Sequence, residues 1–126
     1  MRQREGPRGR RDARSYLLDM QEAASFLYVA AGGKTLAEYA QDAILRSAVE
    51  RQFIIIGEAL VQLLRLEPDL QGRITHARRI VAFRNILVHG YADIADEIVW
   101  SALQVDLPIL QREVTDLLTE MRGTEA

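Results

Sequence analysis

The sequence predicts an all-α protein, an up-and-down bundle of four to five helices whose last helix is kinked at Pro108. Three observations predict this class. Apolar residues recur at intervals of three and four over long stretches, which is the spacing of one helix face. Glycine or proline separates these stretches, as helix ends require. No segment alternates apolar and polar residues or carries an Asn-Gly or Asp-Gly hairpin turn.

The length and composition exclude several classes of protein. A chain of 126 residues fits one domain, and the lack of cysteine excludes disulfides, thiolate metal sites and cysteine nucleophiles. No apolar run reaches the ~18 residues expected of a membrane span. The arginines near the N-terminus are not followed by the apolar segment of a secretory signal. We therefore expect a cytoplasmic protein without membrane contact.

Charge is unevenly distributed along the chain. Residues 1–14 contain six arginines and two acidic residues, a net +4, which leaves −6 for the remaining chain because the total is −2. Glycine and proline oppose helix formation in this segment. We interpret residues 1–10 as a flexible basic leader, with phosphate contact as the alternative. Residues 11–122 are predicted to form a single helical domain, and residues 123–126 a disordered tail.

The first two helices are predicted from one-sided apolar spacing and capping residues. The first should begin within residues 12–15 and run to Ala31, where Gly32 and Gly33 end it. Thr35 and Glu38 have the spacing of a capping box, in which each side chain bonds the other residue's backbone N–H. A short helix to Tyr39 or Gln41 follows.

A long helix is predicted from Asp42 to Leu66, where Glu67-Pro68 stops it. It is apolar on more than one face, so it is either central to the bundle or covered by a partner. Gly57 near its middle costs about 1 kcal/mol of helix propensity. We expect another helix to approach closely at Gly57 in compensation.

Two further helices are predicted after a loop over residues 68–73. One runs from Thr75 to Val88 or His89 and ends at Gly90. The last begins near Asp93 or Asp96 and runs to Met121. Pro108 lies inside its apolar pattern and should kink it, because proline lacks the N–H that would bond the carbonyl near Gln104.

The end of the helix before Gly90 carries the residues best suited to chemistry. Arg84, Asn85, His89 and Tyr91 offer a permanent cation, an amide, an imidazole and a phenol. Asn85 and His89 share a face, whereas Arg84 lies about 140° from His89. A base and a guanidinium are what RNA cleavage without a metal needs. The alternative is structural, with His89 capping carbonyls and Arg84 paired with an acid such as Glu58.

Other candidate signals have simpler interpretations. His76 is interpreted as a packing residue, and neither histidine has a partner at metal-binding spacing. Tyr16 and Trp100 are interpreted as core residues rather than as platforms on which bases stack. Gly32-Gly33-Lys34-Thr35 lacks the preceding strand and glycine spacing of a phosphate-binding loop, so capping explains it.

The pattern Arg84-x4-His89-x-Tyr91 resembles that of HepT-like proteins, members of the HEPN superfamily (higher eukaryotes and prokaryotes nucleotide-binding). The resemblance extends in unbroken order over about residues 11–118. It includes the segments Arg11-Asp12, Tyr16-Leu17, Gln41-Asp42-Ala43, Ile55-Ile56-Gly57-Glu58-Ala59, Asp96-Glu97-Ile98-Val99-Trp100 and Asp106-Leu107-Pro108.

The resemblance implies a toxin of a toxin–antitoxin system that cleaves RNA without metal or cofactor. Arg84 and His89 would be the catalytic pair and Asn85 a supporting residue. Tyr91 would accept AMP from an antitoxin, an MntA-like minimal nucleotidyltransferase, and the added phosphate would block RNA. A homodimer with both motifs in one cleft is implied. The alternative is a helical dimer without nuclease activity that binds nucleotide or accepts AMP from a nucleotidyltransferase.

Overall fold

A computed structural model of the chain describes residues 11–90 and 94–125. The α-helices in this part of the chain are α1 (Ala13–Ala31), α2 (Leu36–Gln41), α3 (Ala43–Leu66), α4 (Ala77–His89), α5 (Asp96–Ser101) and α6 (Leu107–Glu125). A 3₁₀ helix over Pro68–Arg73 joins α3 to α4, and a π-helical turn over Ala102–Asp106 joins α5 to α6. The described residues contain no strand, and the predicted all-α bundle is confirmed.

The helix starts at α1 and α2 follow their capping residues. The Asp12 carboxylate accepts a hydrogen bond of 2.9 Å from the Ser15 backbone N–H, and α1 starts at Ala13, directly after Asp12. In the capping box, the Glu38 N–H donates to the Thr35 hydroxyl oxygen and the Thr35 N–H donates to the Glu38 carboxylate. These bonds satisfy N–H groups that have no partner inside the helix.

Helix α3 is central to the bundle. It packs against both α1 and α4, and α6 covers another side of α1. Leu45, Val49, Phe53, Ile56, Leu60 and Leu63 of α3 lie in the core, Ile54, Ile55, Val61 and Leu64 are partly buried, and Ile44 and Leu66 near its ends are exposed. The chain's own helices therefore cover most, but not all, of the broad apolar surface of α3.

The connection into α4 differs from the sequence prediction. The segment predicted as a loop forms the 3₁₀ helix, and α4 begins at Ala77 rather than Thr75. The Thr75 backbone N–H lies 3.1 Å from one carboxylate oxygen of Glu113 on α6, and the Thr75 hydroxyl bonds the other. This long-range contact satisfies the Thr75 N–H outside the helix, so the first turn starts later.

The last predicted helix is interrupted before its proline. The Leu107 N–H donates to the Ala102 carbonyl, five residues back, which is the bond of a π-helical turn. Pro108, which has no N–H to donate, is the second residue of α6. The irregularity therefore lies in the wide turn before Pro108, and buried Ala102, Leu103 and Leu107 keep it packed on the core.

The structure can be compared with the predicted domain boundaries near the two ends of the chain. Helix α6 reaches Glu125, past Met121 and into the segment that the sequence assigns to a disordered tail. The predicted leader, residues 1–10, lies outside the described residues. Within the described ranges, none of the helices combines the length and apolarity needed to cross a membrane.

Candidate active site

Helix α4 carries three of the four predicted site residues. Gly90 adopts a left-handed conformation with φ of 61° and its N–H bonds the Ile86 carbonyl at 3.1 Å, which confirms the predicted end of the helix. His89 is therefore the last helical residue, and it is exposed. Tyr91 follows Gly90 and lies outside the described residues.

Arg84 lies where α4 crosses α3, directly over Gly57. A Cβ atom built on Gly57 would lie 2.3 Å from the Arg84 Cβ and 2.6 Å from its Cγ, far inside van der Waals contact. The absence of a side chain at position 57 thus lets the stem of Arg84 lie against the α3 backbone. The predicted close approach of a helix at Gly57 is confirmed, and the approaching residue is Arg84.

Neighbouring polar groups orient the Arg84 guanidinium. Its Nη1 donates to the Asn85 Oδ1 at 2.8 Å, and its Nη2 lies 3.7 Å from the Glu58 Oε2. Its Nε is buried and has no acceptor among the described residues. The side chain is only 26% exposed, so the cation is held in one orientation and is partly removed from water. This is favourable for a group that must meet a phosphate.

Arg84 and His89 do not face the same groove in one chain. Arg84 lines an open groove of about 580 Å³ between α1 and α3, and His89 is not among the described residues of its wall. Asn85 lies one turn before His89 on the same face of α4 and also bonds Arg84. The structure thus brings Arg84, Asn85 and Glu58 together and places His89 beyond them, at the helix end.

A second open groove lies beside the end of α4. Its volume is about 490 Å³, and Arg46, Glu50 and Asp96 give it polar walls. Leu87, Gly90 and Ile94 complete its wall where the chain leaves the helix. Gly90 and Ile94 are the described residues that flank the segment containing Tyr91, and both line this groove.

His76 belongs to a different part of the molecule. It immediately precedes α4, and its Nε2 lies 3.9 Å from the Asp106 Oδ1, which also accepts a hydrogen bond from Arg79. His89 is thirteen residues further along, a rise of about 20 Å. Local sequence patterns could not predict this cluster, because Asp106 is 27 or more residues from Arg79 and His76 in the chain.

Among the described residues, no group of three or more histidine and acidic side chains is arranged to hold a metal ion.

An all-α bundle with arginine and histidine five residues apart at the end of one helix is the arrangement of HEPN proteins. Comparison with known proteins gives the family directly: the family model described as "Ribonuclease HepT-like" matches residues 17–117. The chain therefore belongs to the HepT-like ribonuclease family, and the resemblance drawn from its sequence is confirmed.

Individual relatives agree with this assignment. A protein of Caldanaerobacter subterraneus named "Putative RNase" is 26% identical over 105 residues, covering 83% of this chain and 93% of the relative. A Methanocaldococcus jannaschii protein, also named "Putative RNase", is 28% identical over 107 residues, covering 83% of this chain and 95% of its own length. No solved structure matches the chain significantly.

Proposed function

We propose that the protein is the toxin of a toxin–antitoxin system and cuts RNA without a metal ion, using Arg84 and His89. The observation that carries the proposal is the oriented, partly desolvated Arg84 guanidinium on the same helix as an exposed histidine, in a chain of the HepT-like ribonuclease family. Asn85, bonded to Arg84 and one turn from His89, supports both groups.

The reaction follows from the chemistry of these side chains. Neutral His89 accepts the proton of a ribose 2′-hydroxyl, and that oxygen attacks the adjacent phosphorus. The bond from phosphorus to the 5′-oxygen breaks, and that oxygen takes up a proton. The products are a 2′,3′-cyclic phosphate and a 5′-hydroxyl end. Arg84 stabilises the negative charge that builds on the phosphate oxygens in between.

A homodimer would bring an Arg84 and a His89 from different chains to one phosphate. Support comes from an apolar surface between α4 and α5, where Ile86 and Ile98 are 49% and 54% exposed. An open groove of about 410 Å³, lined mainly by apolar residues that include Ala82, Phe83 and Ile98, runs along it. Exposed apolar surface beside a functional helix end is typical of an interface.

Tyr91 is the proposed site of control. A nucleotidyltransferase antitoxin of the MntA-like kind would attach AMP to its hydroxyl, adding a phosphate and a nucleoside beside the cleft. The new negative charge would repel the RNA backbone and the nucleoside would fill the space that RNA needs. The groove that borders Gly90 and Ile94 offers room for such a group.

The test of the catalytic pair uses the two histidines as matched variants. Wild type and His76→Ala should cleave single-stranded RNA in EDTA, whereas His89→Ala and Arg84→Ala should not. Ends carrying a cyclic phosphate should accompany cleavage. Equal cleavage by His89→Ala and wild type would reject the assignment.

Mixing the two inactive variants tests the shared cleft. If Arg84 of one chain works with His89 of the other, a mixed dimer of Arg84→Ala and His89→Ala chains has one intact site. Random mixing should then restore about one quarter of wild-type activity. No recovery from chains shown to exchange would contradict a site shared between chains.

Co-expression with an MntA-like nucleotidyltransferase tests the control of the toxin. Intact mass should increase by one or more AMP units in wild type and not in Tyr91→Phe, and the modified protein should lose RNA cleavage. An unchanged mass beside an active transferase would contradict the role of Tyr91.

A further inference from the structure

The groove that holds Arg84 extends well beyond the predicted catalytic residues. Its walls come from Arg11, the first half of α1, the second half of α3 and Arg84 itself. The residues along it are Arg11, Tyr16, Asp19, Ile55, Glu58, Ala59, Val61, Gln62, Arg65 and Arg84. Glu58 and Arg65 are seven residues apart on α3, so the groove runs about 10 Å along the helix axis away from Arg84.

Positive charge follows this groove although the body of the protein is acidic. Three arginines and two acidic residues give its walls a net +1, whereas residues 11–126 as a whole carry a net −5, since residues 1–10 carry +3 of the total −2. Arg11 is paired with Asp19, and Arg84 lies near Glu58. Arg65 is exposed and has no hydrogen bond or ion pair with the described residues. The end of the groove away from Arg84 therefore presents a guanidinium available to an anion.

A flat, supported surface lines the same groove as Arg65. The Arg11 guanidinium lies over the Tyr16 ring, 4.8 Å from its centroid, and bonds the Asp19 carboxylate and the Ser15 carbonyl. Tyr16 is half-buried against the core, as its interpretation as a core residue requires. The ring and the two acceptors hold the guanidinium plane in place. Unpaired RNA bases stack on such planes as well as on aromatic rings.

We infer that this groove binds the RNA strand on one side of the scissile phosphate, with Arg65 on a backbone phosphate and Arg11 beneath a neighbouring nucleotide. Arg65 lies about 10 Å along α3 from Glu58, the neighbour of Arg84, so we place it on a different phosphate, where it adds affinity without taking part in the chemistry. The inference rests on the proposed ribonuclease function, because it continues the path of the strand from Arg84. An unpaired strand suits it, since a base on Arg11 must be unstacked.

Direct binding separates this role from catalysis. Fluorescent single-stranded RNA is titrated with the intact His89→Ala chain, which should not cleave it, at several salt concentrations. Adding Arg65→Gln should weaken binding about three- to tenfold and reduce the slope of log K against log salt by about 0.7, the value for one phosphate contact. Arg65→Lys should keep most of the slope because it keeps the charge.

Arg112→Gln is the matched control, because Arg112 is exposed on α6 and lies outside the groove. It should leave affinity and slope unchanged. In otherwise wild-type enzyme, Arg65→Gln should raise KM and leave kcat unchanged. Equal affinity and slope for Arg65→Gln and Arg112→Gln would overturn the inference. Retained cleavage by His89→Ala would instead overturn the proposed function, so the two failures are distinguishable.

Discussion

Gly57→Ala tests whether the contact between α3 and α4 sets the position of Arg84. The new methyl carbon would start 2.3 Å from the Arg84 Cβ, whereas ordinary contact begins near 3.4 Å. The two helices must therefore separate by about 1 Å, or α4 must rotate. The Cβ cannot move alone, because it is fixed to the α4 backbone. Arg84 then leaves the position set by Asn85 and Glu58.

The magnitudes predict a large effect on activity and a small one on stability. Forcing a methyl into a packed contact costs about 1–3 kcal/mol, and replacing glycine with alanine inside a helix returns about 1 kcal/mol. The free energy of unfolding should thus fall by about 0–2 kcal/mol. A displacement of about 1 Å in a catalytic group costs on the order of 100-fold in rate.

The assays are RNA cleavage and urea denaturation, with Gly72→Ala as the matched control. A Cβ on Gly72 would meet no atom within 4 Å, so this variant should cleave RNA like wild type. Combining Gly57→Ala with Arg84→Gly removes the clash and should recover stability but not activity. Wild-type cleavage by a stabilised Gly57→Ala variant would refute the reasoning.

Two predictions concern stability away from the site. Asp12→Ala removes the carboxylate that caps α1 and should lower the free energy of unfolding by about 1 kcal/mol at pH 7. The Ser15 backbone N–H bond, followed by the Ser15 hydroxyl, lowers the pKa of Asp12, so the difference should be present above the pKa of the unfolded chain and disappear as pH falls through the folded pKa. Urea denaturation at pH 7 and pH 3 measures this, and an equal difference at both values would contradict it. Tyr39→Phe removes a buried hydroxyl that has no partner among the described residues, and burial raises the pKa of Tyr39. Thermal unfolding should show equal or greater stability, by about 1 kcal/mol at most, and a clear loss would show that the hydroxyl is bonded in solution.

The sequence predicted the helices and their ends closely because short-range interactions determine them. Asp12, Thr35 and Asp42 each cap the helix that starts at the next residue, by accepting a bond from the N–H three residues further on. Gly90 ends α4 by its own left-handed backbone conformation. The family pattern is equally local, since Arg84 and His89 lie on one helix. The need for a close neighbour at Gly57 could also be predicted, because a glycine inside a helix is costly unless something uses the space.

Only the tertiary structure decided which groups meet across helices. Helix spacing gives the direction of Arg84 on α4 but not that Gly57 and Glu58 lie opposite it. The late start of α4 depends on Glu113, far along the chain, and the position of the π-helical turn depends on packing around Pro108.

The groove from Arg84 to Arg65 could likewise not be predicted from the sequence. Arg11 precedes α1, Arg65 lies on α3 and Arg84 on α4, so no periodicity within one helix relates them. Backbone hydrogen bonds and caps join residues within about one helical turn, so they can be predicted from the local sequence. Contacts between helices depend on how the apolar faces pack together, which sets the rotation and offset of each helix.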